Sequence, residues 1–524
     1  MPKIPFDNTY VRLPTQFYAA ARPTTVASPA LAFFNGALAS ELGIEVAGAS
    51  PQTLAEVFAG NRLPEGSAPV ALAYAGHQFG QFVPQLGDGR AVLLGEVCCA
   101  DGRRFDIQLK GAGRTPFSRG GDGRAALGPV LREYLLSEVM HAFDVPTTRA
   151  LAAVRTGEMV LREVPLPGAV LTRVAGSHVR VGTFQYFAAR GDTQARKTLA
   201  EYCIARHYPE LAQVSDPSTR YCRFLEAVCL RQIELVARWM GLGFIHGVMN
   251  TDNVSIAGET IDYGPCAFMD HYDPDTVFSS IDRGGRYAYA NQPQIAQWNM
   301  ARFAETLLPL IDPDPERAVA RVLPVVEAMG GWFERAWGER LAAKLGFSAN
   351  TPHVAELADN LLRLMTAQRA DFTCTFAALG ESLRAEDAGA VFRAEFTDGD
   401  SAGVWWQAWH AAITDHAKHA VANDVPTDSA AVSGSNAGGE LRESENRDAM
   451  LGVMTRLSEA NASCIPRNHL VEAALDAAVA GNDLKPFTTL LEALTEHPRR
   501  DPPTPWLARP PERPDPHYRT FCGT

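Results

Sequence analysis

His246-Gly247-Val248-Met249-Asn250-Thr251-Asp252-Asn253, with Asp262-Tyr263-Gly264-Pro265-Cys266 beyond it, is the stretch from which the rest of this chain is read. Phe224 to Trp239, just before it, carries apolar residues at helical spacing and is stopped by Gly241-Leu242-Gly243. Between the two segments lies the short apolar run Val254-Ser255-Ile256. Asp252 and Asn253 thus stand just before that run and Asp262 a few residues after it. Asp262-Tyr263-Gly264 after such a run falls where a metal-site hairpin would put it, with a carboxylate suited to Mg²⁺ bridging phosphates. Taken alone, the same residues also read as an ordinary loop capped by Asp and Asn.

Upstream, Gln85-Leu86-Gly87-Asp88-Gly89-Arg90 opens a strand, Ala91 to Val97, and a second strand runs from Arg104 to Lys110. Asp101-Gly102 between them is a hairpin signal. Glycines at 87 and 89 would let backbone N–H groups approach phosphate oxygens. Lys110 ends the returning strand, and Glu133 lies on a helix expected over Pro129 to Phe143. This order of glycine loop, strand Lys, helix Glu, His-containing loop and Asp-Tyr-Gly resembles that of protein kinases. In kinases an Asp two residues after the His is the base, whereas this chain has Val248 there. A valine accepts no proton, which leaves Asp252 as the available carboxylate. Two arginine-bearing clusters go beyond the kinase pattern, Lys110 to Arg124 (with Arg114, Arg119, Asp122 and Gly123) and the pair Arg173 and Arg180. Guanidinium forks suit phosphate oxygens.

Strands first and helices later predict an α+β protein with two lobes. The resemblance to kinases implies a kinase-like fold with a strand-rich N-lobe, a helical C-lobe and extensions at both ends. The expected division is an extension over 1–73, an N-lobe over 74–175 and a helical lobe over 176–423. A flexible linker over 424–448 and a C-terminal helical region and tail over 449–524 complete it. A helical stretch is expected from Ala30 to Leu42, and two or three short strands between Ala150 and Arg173. Pro502 to Pro516 reads as an extended wrap or mobile tail. The 46% hydrophobic and 21% charged content is that of a globular protein. A net charge of −12 speaks against nucleic acid. Neither a secretory signal nor an apolar membrane span is apparent, and nine scattered cysteines read as reduced thiols. The expectation is a cytoplasmic monomer.

The segments Leu86–Ala91, Gln108–Arg119, His246–Asn253 and Asp262–Asp270 resemble the selenoprotein O (SelO) family, adenylyltransferases built on a pseudokinase fold. Gly285-Arg286-Tyr287, Asn291-Gln292-Pro293, Trp298-Asn299, Ile465 to His469 and Cys522-Gly523-Thr524 extend the similarity. The resemblance implies transfer of AMP from ATP to Ser, Thr or Tyr hydroxyls of proteins, with ATP flipped relative to kinases. It assigns nucleotide binding to Gly87, Gly89, Arg90, Lys110, Asp122, Gly123, Arg173, Arg180 and Asp262. It assigns the metal to Asn253 and Asp262, the base to Asp252, and to Glu133 the pairing with Lys110. It also implies a redox-sensitive pair, Cys266 and Cys522. A γ-phosphate kinase, a UMP transferase and a silent nucleotide-binding redox scaffold are the alternatives.

Overall fold

The computed structural model describes residues 1–385, 387–424, 437–496, 507–512 and 518–521. Its strands are β1 (Tyr18–Ala20), β2 (Ala30–Phe34), β3 (Val70–Leu72), β4 (Gly76–Gln78), β5 (Gln81–Val83), β6 (Ala91–Cys98) and β7 (Arg104–Lys110). β8 (Ala125–Ala126), β9 (Arg149–Leu161), β10 (Pro165–Ala175), β11 (Phe244–Ile245) and β12 (Ala267–Phe268) follow. Eight of them make one sheet in the order β1-β3-β6-β7-β10-β9-β2, with β8 paired to β10. After β10 the chain is predominantly helical. This is an α+β architecture.

Alternation explains how the sheet serves two purposes. On β7, Ile107 and Leu109 turn into an apolar layer with Val92, Leu94, Val170 and Val174. That layer is covered by Leu38, Leu42, Leu54 and Phe58 from the first 60 residues. The intervening Asp106, Gln108 and Lys110 therefore share the opposite, polar face. On β10, Ala169 and Leu171 join the core formed by Leu131, Leu135 and Val139 of the helix Leu127–Ala142. Full burial of each such side chain contributes about 1.5–3 kcal/mol, so register along β7 and β10 is strongly held.

Several expectations are revised. Residues 1–73 are not merely an extension, because β1, β2 and β3 are strands of the main sheet. Ala30–Phe34 is a strand paired with β9, and the helix covers only Gly36–Glu41, capped by Asn35. The apolar run Ala30-Leu31-Ala32-Phe33-Phe34 is short, and pairing to β9 overrides its helical look. Between Ala150 and Arg173 there are two long strands. Gly157 has φ +73 inside β9, and a register shift falls at Gly168 in β10, so both glycines punctuate strands without ending them. The helix Ala437–Ala460 begins within the 424–448 stretch read as a linker. Residues 425–436 and most of the Pro-rich 502–516 segment lie outside the described residues.

Among the helices, Lys344 ends Pro315–Lys344 and is only 5% exposed. Its ammonium lies 5.2 Å from the Phe372 ring and 4.3 Å from that of Phe376. Burial pushes its pKa down to about 7. The unfolded chain keeps this proton up to the ordinary lysine range near ~10.4, so the penalty is full below about pH 7 and relieved as pH rises. Lys344→Met is therefore expected to raise the Tm, with the largest gain below pH 7 and little near pH 10. Thermal melts of both proteins at pH 6 and pH 9.5 check this, and an equal gap at both values would refute it.

Candidate active site

Lys110 and Arg173 reach one point because β7 and β10 are neighbours, with Gln108 opposite Arg173 and Lys110 opposite Leu171. The helix Leu127–Ala142 packs across the same sheet and brings Glu133 beneath them. Lys110 Nζ donates to Glu133 Oε2 at 2.6 Å and to Asp262 Oδ1 at 2.6 Å. Arg173 Nη1 donates to Asp262 Oδ1 at 2.6 Å and to Glu133 Oε1 at 3.2 Å. Arg180 Nη1 reaches Asp262 Oδ2 at 3.3 Å and the Asp252 carbonyl at 2.8 Å. Burial by itself would raise the Asp262 carboxyl, but Lys110, Arg173 and Arg180 together hold it well below the usual carboxylate range. Asp262 sits at φ +63, a left-handed conformation uncommon for a residue with a side chain.

The loop after β11 supplies the second carboxylate. The turn Thr251–Asn253 places Asp252 nearly buried, with Oδ2 accepting from Gln78 Nε2 at 3.2 Å and Oδ1 without a hydrogen-bond partner among the described residues. Burial raises its pKa to about 6, against the opposing effect of Arg180. The group remains mostly ionised at neutral pH and can accept a proton. Asn253 Nδ2 donates to the Val248 carbonyl at 3.0 Å, which anchors the amide and leaves its oxygen as an acceptor. Among the described residues no cluster of three or more His, Cys, Asp or Glu could hold a metal. The protein oxygens of Asn253 and Asp262 nevertheless fit Mg²⁺ or Mn²⁺, which typically take one or two side-chain ligands and complete their shell with phosphates and water.

A cleft of about 920 Å³ brings these groups together. Gly87, Gly89, Arg90, Lys110, Asp122, Gly123, Arg173, Arg180, Asp252, Asn253 and Asp262 all line it, as does Val248. Glu133 supports the cleft from behind through Lys110. The glycines have a packing reason as well. A Cβ on Gly87 would meet the Phe117 ring at 2.3 Å, and one on Gly123 (φ +69) would meet the Gly113 carbonyl at 2.1 Å. The loop after Lys110 thus folds tightly onto the Gly87–Arg90 turn, and Thr115 Oγ1 donates to the Asp88 carbonyl at 2.6 Å. Asp122 is engaged by Arg162 Nη1 at 2.8 Å.

Sequence reasoning passed over several residues of this site. Arg173 Nε meets His178 Nε2 at 3.2 Å, and His178 Nδ1 meets Asp106 Oδ2 at 3.0 Å. Because a guanidinium only donates, His178 is neutral, with Nε2 accepting and the Nδ1 hydrogen on Asp106. Burial lowers its pKa to about 4, in accord with this. Arg173 Nη2 also donates to Gln108 Oε1 at 2.6 Å, and Gln108 Nε2 donates to buried Asp88 at 3.1 Å. Asp88 stands inside the Gly87–Gly89 turn and His178 between the two arginines, so proximity in sequence was the available signal. Gln78 had none, since it lies 174 residues from Asp252. Of the two cysteines, Cys266 is buried next to Pro265, and Cys522 lies outside the described residues. Thr520 is tied to the loop after Asp262, donating from Oγ1 to the Pro265 carbonyl at 2.6 Å and from N to the Phe278 carbonyl at 2.8 Å.

With this geometry in place, comparison with known proteins is informative. A family model described as "Protein adenylyltransferase SelO" matches residues 1–495. A relative from Rhizobium rhizogenes, named "Protein nucleotidyltransferase YdiU", is 52% identical over 523 residues, spanning 100% of this chain and 97% of its own length. One of the same name from a strain of Methylorubrum extorquens is 52% identical over 526 residues, spanning 99% of each chain. The chain belongs to the SelO family of protein adenylyltransferases.

Proposed function

We propose that this protein nucleotidyltransferase holds ATP in a kinase-like cleft, flipped relative to kinases, and transfers AMP to Ser, Thr or Tyr hydroxyls of other proteins. The observation that carries this reading is the convergence of Lys110, Arg173 and Arg180 on Asp262, with Asp252 in the same cleft and Val248 at the usual base position. Three preformed cations suit the charge that develops on a leaving pyrophosphate. The Gly87–Arg90 turn and the Asp122–Gly123 loop would grip the remaining phosphates. Asn253 and Asp262 would hold Mg²⁺ or Mn²⁺, which when bound supplies electrostatic stabilisation of phosphate oxygens. Asp252 takes the proton from the acceptor hydroxyl as its oxygen bonds to the α-phosphorus. The bond from that phosphorus to the bridging oxygen breaks, and pyrophosphate departs with the electron pair.

No helix among the described residues is long and apolar enough to cross a membrane. The two-lobed division at about residue 175 is part of this proposal, supported by the change from sheet to helices after β10.

Incubation with Mg²⁺ or Mn²⁺ and ATP labelled at the α- or the γ-phosphate, followed by intact mass analysis, is the primary test. Label from the α-position with a gain of one AMP unit is the expected result. Label from the γ-position alone would make the protein a kinase, preference for UTP a UMP transferase, and no label a scaffold.

Asp262→Asn is expected to abolish metal-dependent transfer, and Asp252→Asn to slow transfer at least a hundredfold with nearly unchanged ATP binding. Wild-type rates in Asp252→Asn would remove the base assignment. Asp262→Ala is a harsher change. It leaves two buried guanidiniums and the partly buried Lys110 without their common counter-charge, at a cost of about 3–5 kcal/mol in stability.

The tail offers a further test of regulation. Thr520 is held against Pro265, next to Cys266, and Cys522 follows two residues later, which supports a disulfide between the two cysteines. Peptide mapping of oxidised protein should recover the pair linked. Recovery of both as free thiols would refute the linkage.

A further inference from the structure

We infer that Gln78 is a positioning residue that orients the Asp252 carboxylate, and that the β4–β5 hairpin exists in part to deliver it. The inference rests on Asp252 being the base and goes beyond that reading by identifying what holds it. β4 and β5 form a separate two-stranded unit, paired Gly76 to Val83, His77 to Phe82 and Gln78 to Gln81. The residues joining them, Phe79 and Gly80, have φ +50 and +83. Positive φ at both central residues is the pattern of the tightest hairpin turn, which elsewhere favours Asn-Gly. A phenylalanine at the first of these positions costs about 1 kcal/mol or more, so surrounding contacts must hold it there.

Those contacts go to the catalytic loop. His77 N donates to Thr251 Oγ1 at 2.7 Å, and Phe79 N donates to Asn250 Oδ1 at 3.0 Å. The Tyr287 hydroxyl donates to the same Asn250 oxygen at 2.7 Å, and its ring lies 5.1 Å from that of Phe79. The hairpin is therefore fastened at residues 250 and 251 before Asp252 is considered. Alternation along β4 then sends Gly76 and Gln78 to one face and His77 to the other, where it meets Gln185 and Trp298.

Gly76 and Gln78 both meet Asp252. Gln78 Nε2 donates to Oδ2 at 3.2 Å. A Cβ at Gly76 would come within 2.5 Å of Oδ1, so only a glycine leaves room for this carboxylate rotamer. One oxygen is bounded by a bare backbone and the other is fixed by an amide donor, which sets the plane of the carboxylate. Gln78 lines the cleft beside Asp252, so the donor stands at the place the acceptor hydroxyl must reach. The proton and electron flow is that of the proposed transfer. Gln78 neither gains nor loses a proton.

The test compares transfer from α-labelled ATP by the full-length wild-type, Gln78→Met and Asp252→Asn proteins, with ATP dissociation constants and melting curves measured on each. Methionine keeps the length and bulk of the side chain and removes the donor. The expected result for Gln78→Met is a loss of roughly tenfold or more in kcat, with ATP affinity unchanged and Tm within a few degrees of wild type. Gly76→Ala, which acts on the other oxygen, should give the same kinetic signature. An unchanged kcat in Gln78→Met while Asp252→Asn is crippled would overturn the inference and leave the base assignment standing. A fall in kcat matched by weaker ATP binding would also overturn it, assigning Gln78 to the nucleotide. Full activity in Asp252→Asn would remove the base, and the inference with it.

Discussion

The constraint on which the rest of the structure depends is the neutralisation of one partly buried carboxylate, Asp262, by three cations. Lys110, Arg173 and Arg180 come from two strands and from the start of a helix, and each is within 3.3 Å of Asp262. No single pair of this kind guarantees stability, since desolvation opposes the attraction. Here every cation has a second partner. Glu133 serves Lys110 and Arg173, while the Asp252 carbonyl serves Arg180. The network links the sheet, the helix beneath it and both loops after β11. It also holds Asp262 at φ +63, where the chain must turn sharply to present the carboxylate to the cleft.

A second tier fixes the orientation of the first. The neutral His178 accepts from Arg173 and passes the constraint to Asp106, which is anchored in turn by Arg206 Nη2 at 2.7 Å. Gln108 bridges Arg173 and Asp88. Gln78 and Gly76 do the corresponding work for Asp252. In the site proposed for the departure of pyrophosphate, groups already held in place need not reorganise as charge develops. The buried shell behind the cations is thus part of the same device as the cations themselves.

The sequence carried much of this because several residues stand in contiguous motifs. β6 and β7, the Asp101-Gly102 hairpin, the Glu133 helix and the Asp252, Asn253 and Asp262 loops were all legible from periodicity and turn chemistry. Glycine at 87, 89 and 123 was legible too, although packing against Phe117 and Gly113 accounts for it as much as phosphate access does. Less legible was the start of the chain. Ala30–Phe34 has the composition of either a strand or a helix, and only its pairing with β9 resolves the choice.

What the sequence determined by itself was the set of chemical groups: a strand lysine, paired acids, surplus arginines, and a valine where a kinase keeps its base. These are local in sequence or recur in a fixed order, so pattern suffices to find them. What only the tertiary structure decided was which groups touch. The β7–β10 register puts Arg173 opposite Gln108, and packing of the β4–β5 hairpin on the loop after β11 puts Gln78 on Asp252. Such pairs depend on strand register and on contacts across more than 60 residues, and no local propensity encodes them. Hence the reaction class could be read along the chain, while the support of Asp252 and of the cations could be read only across the fold.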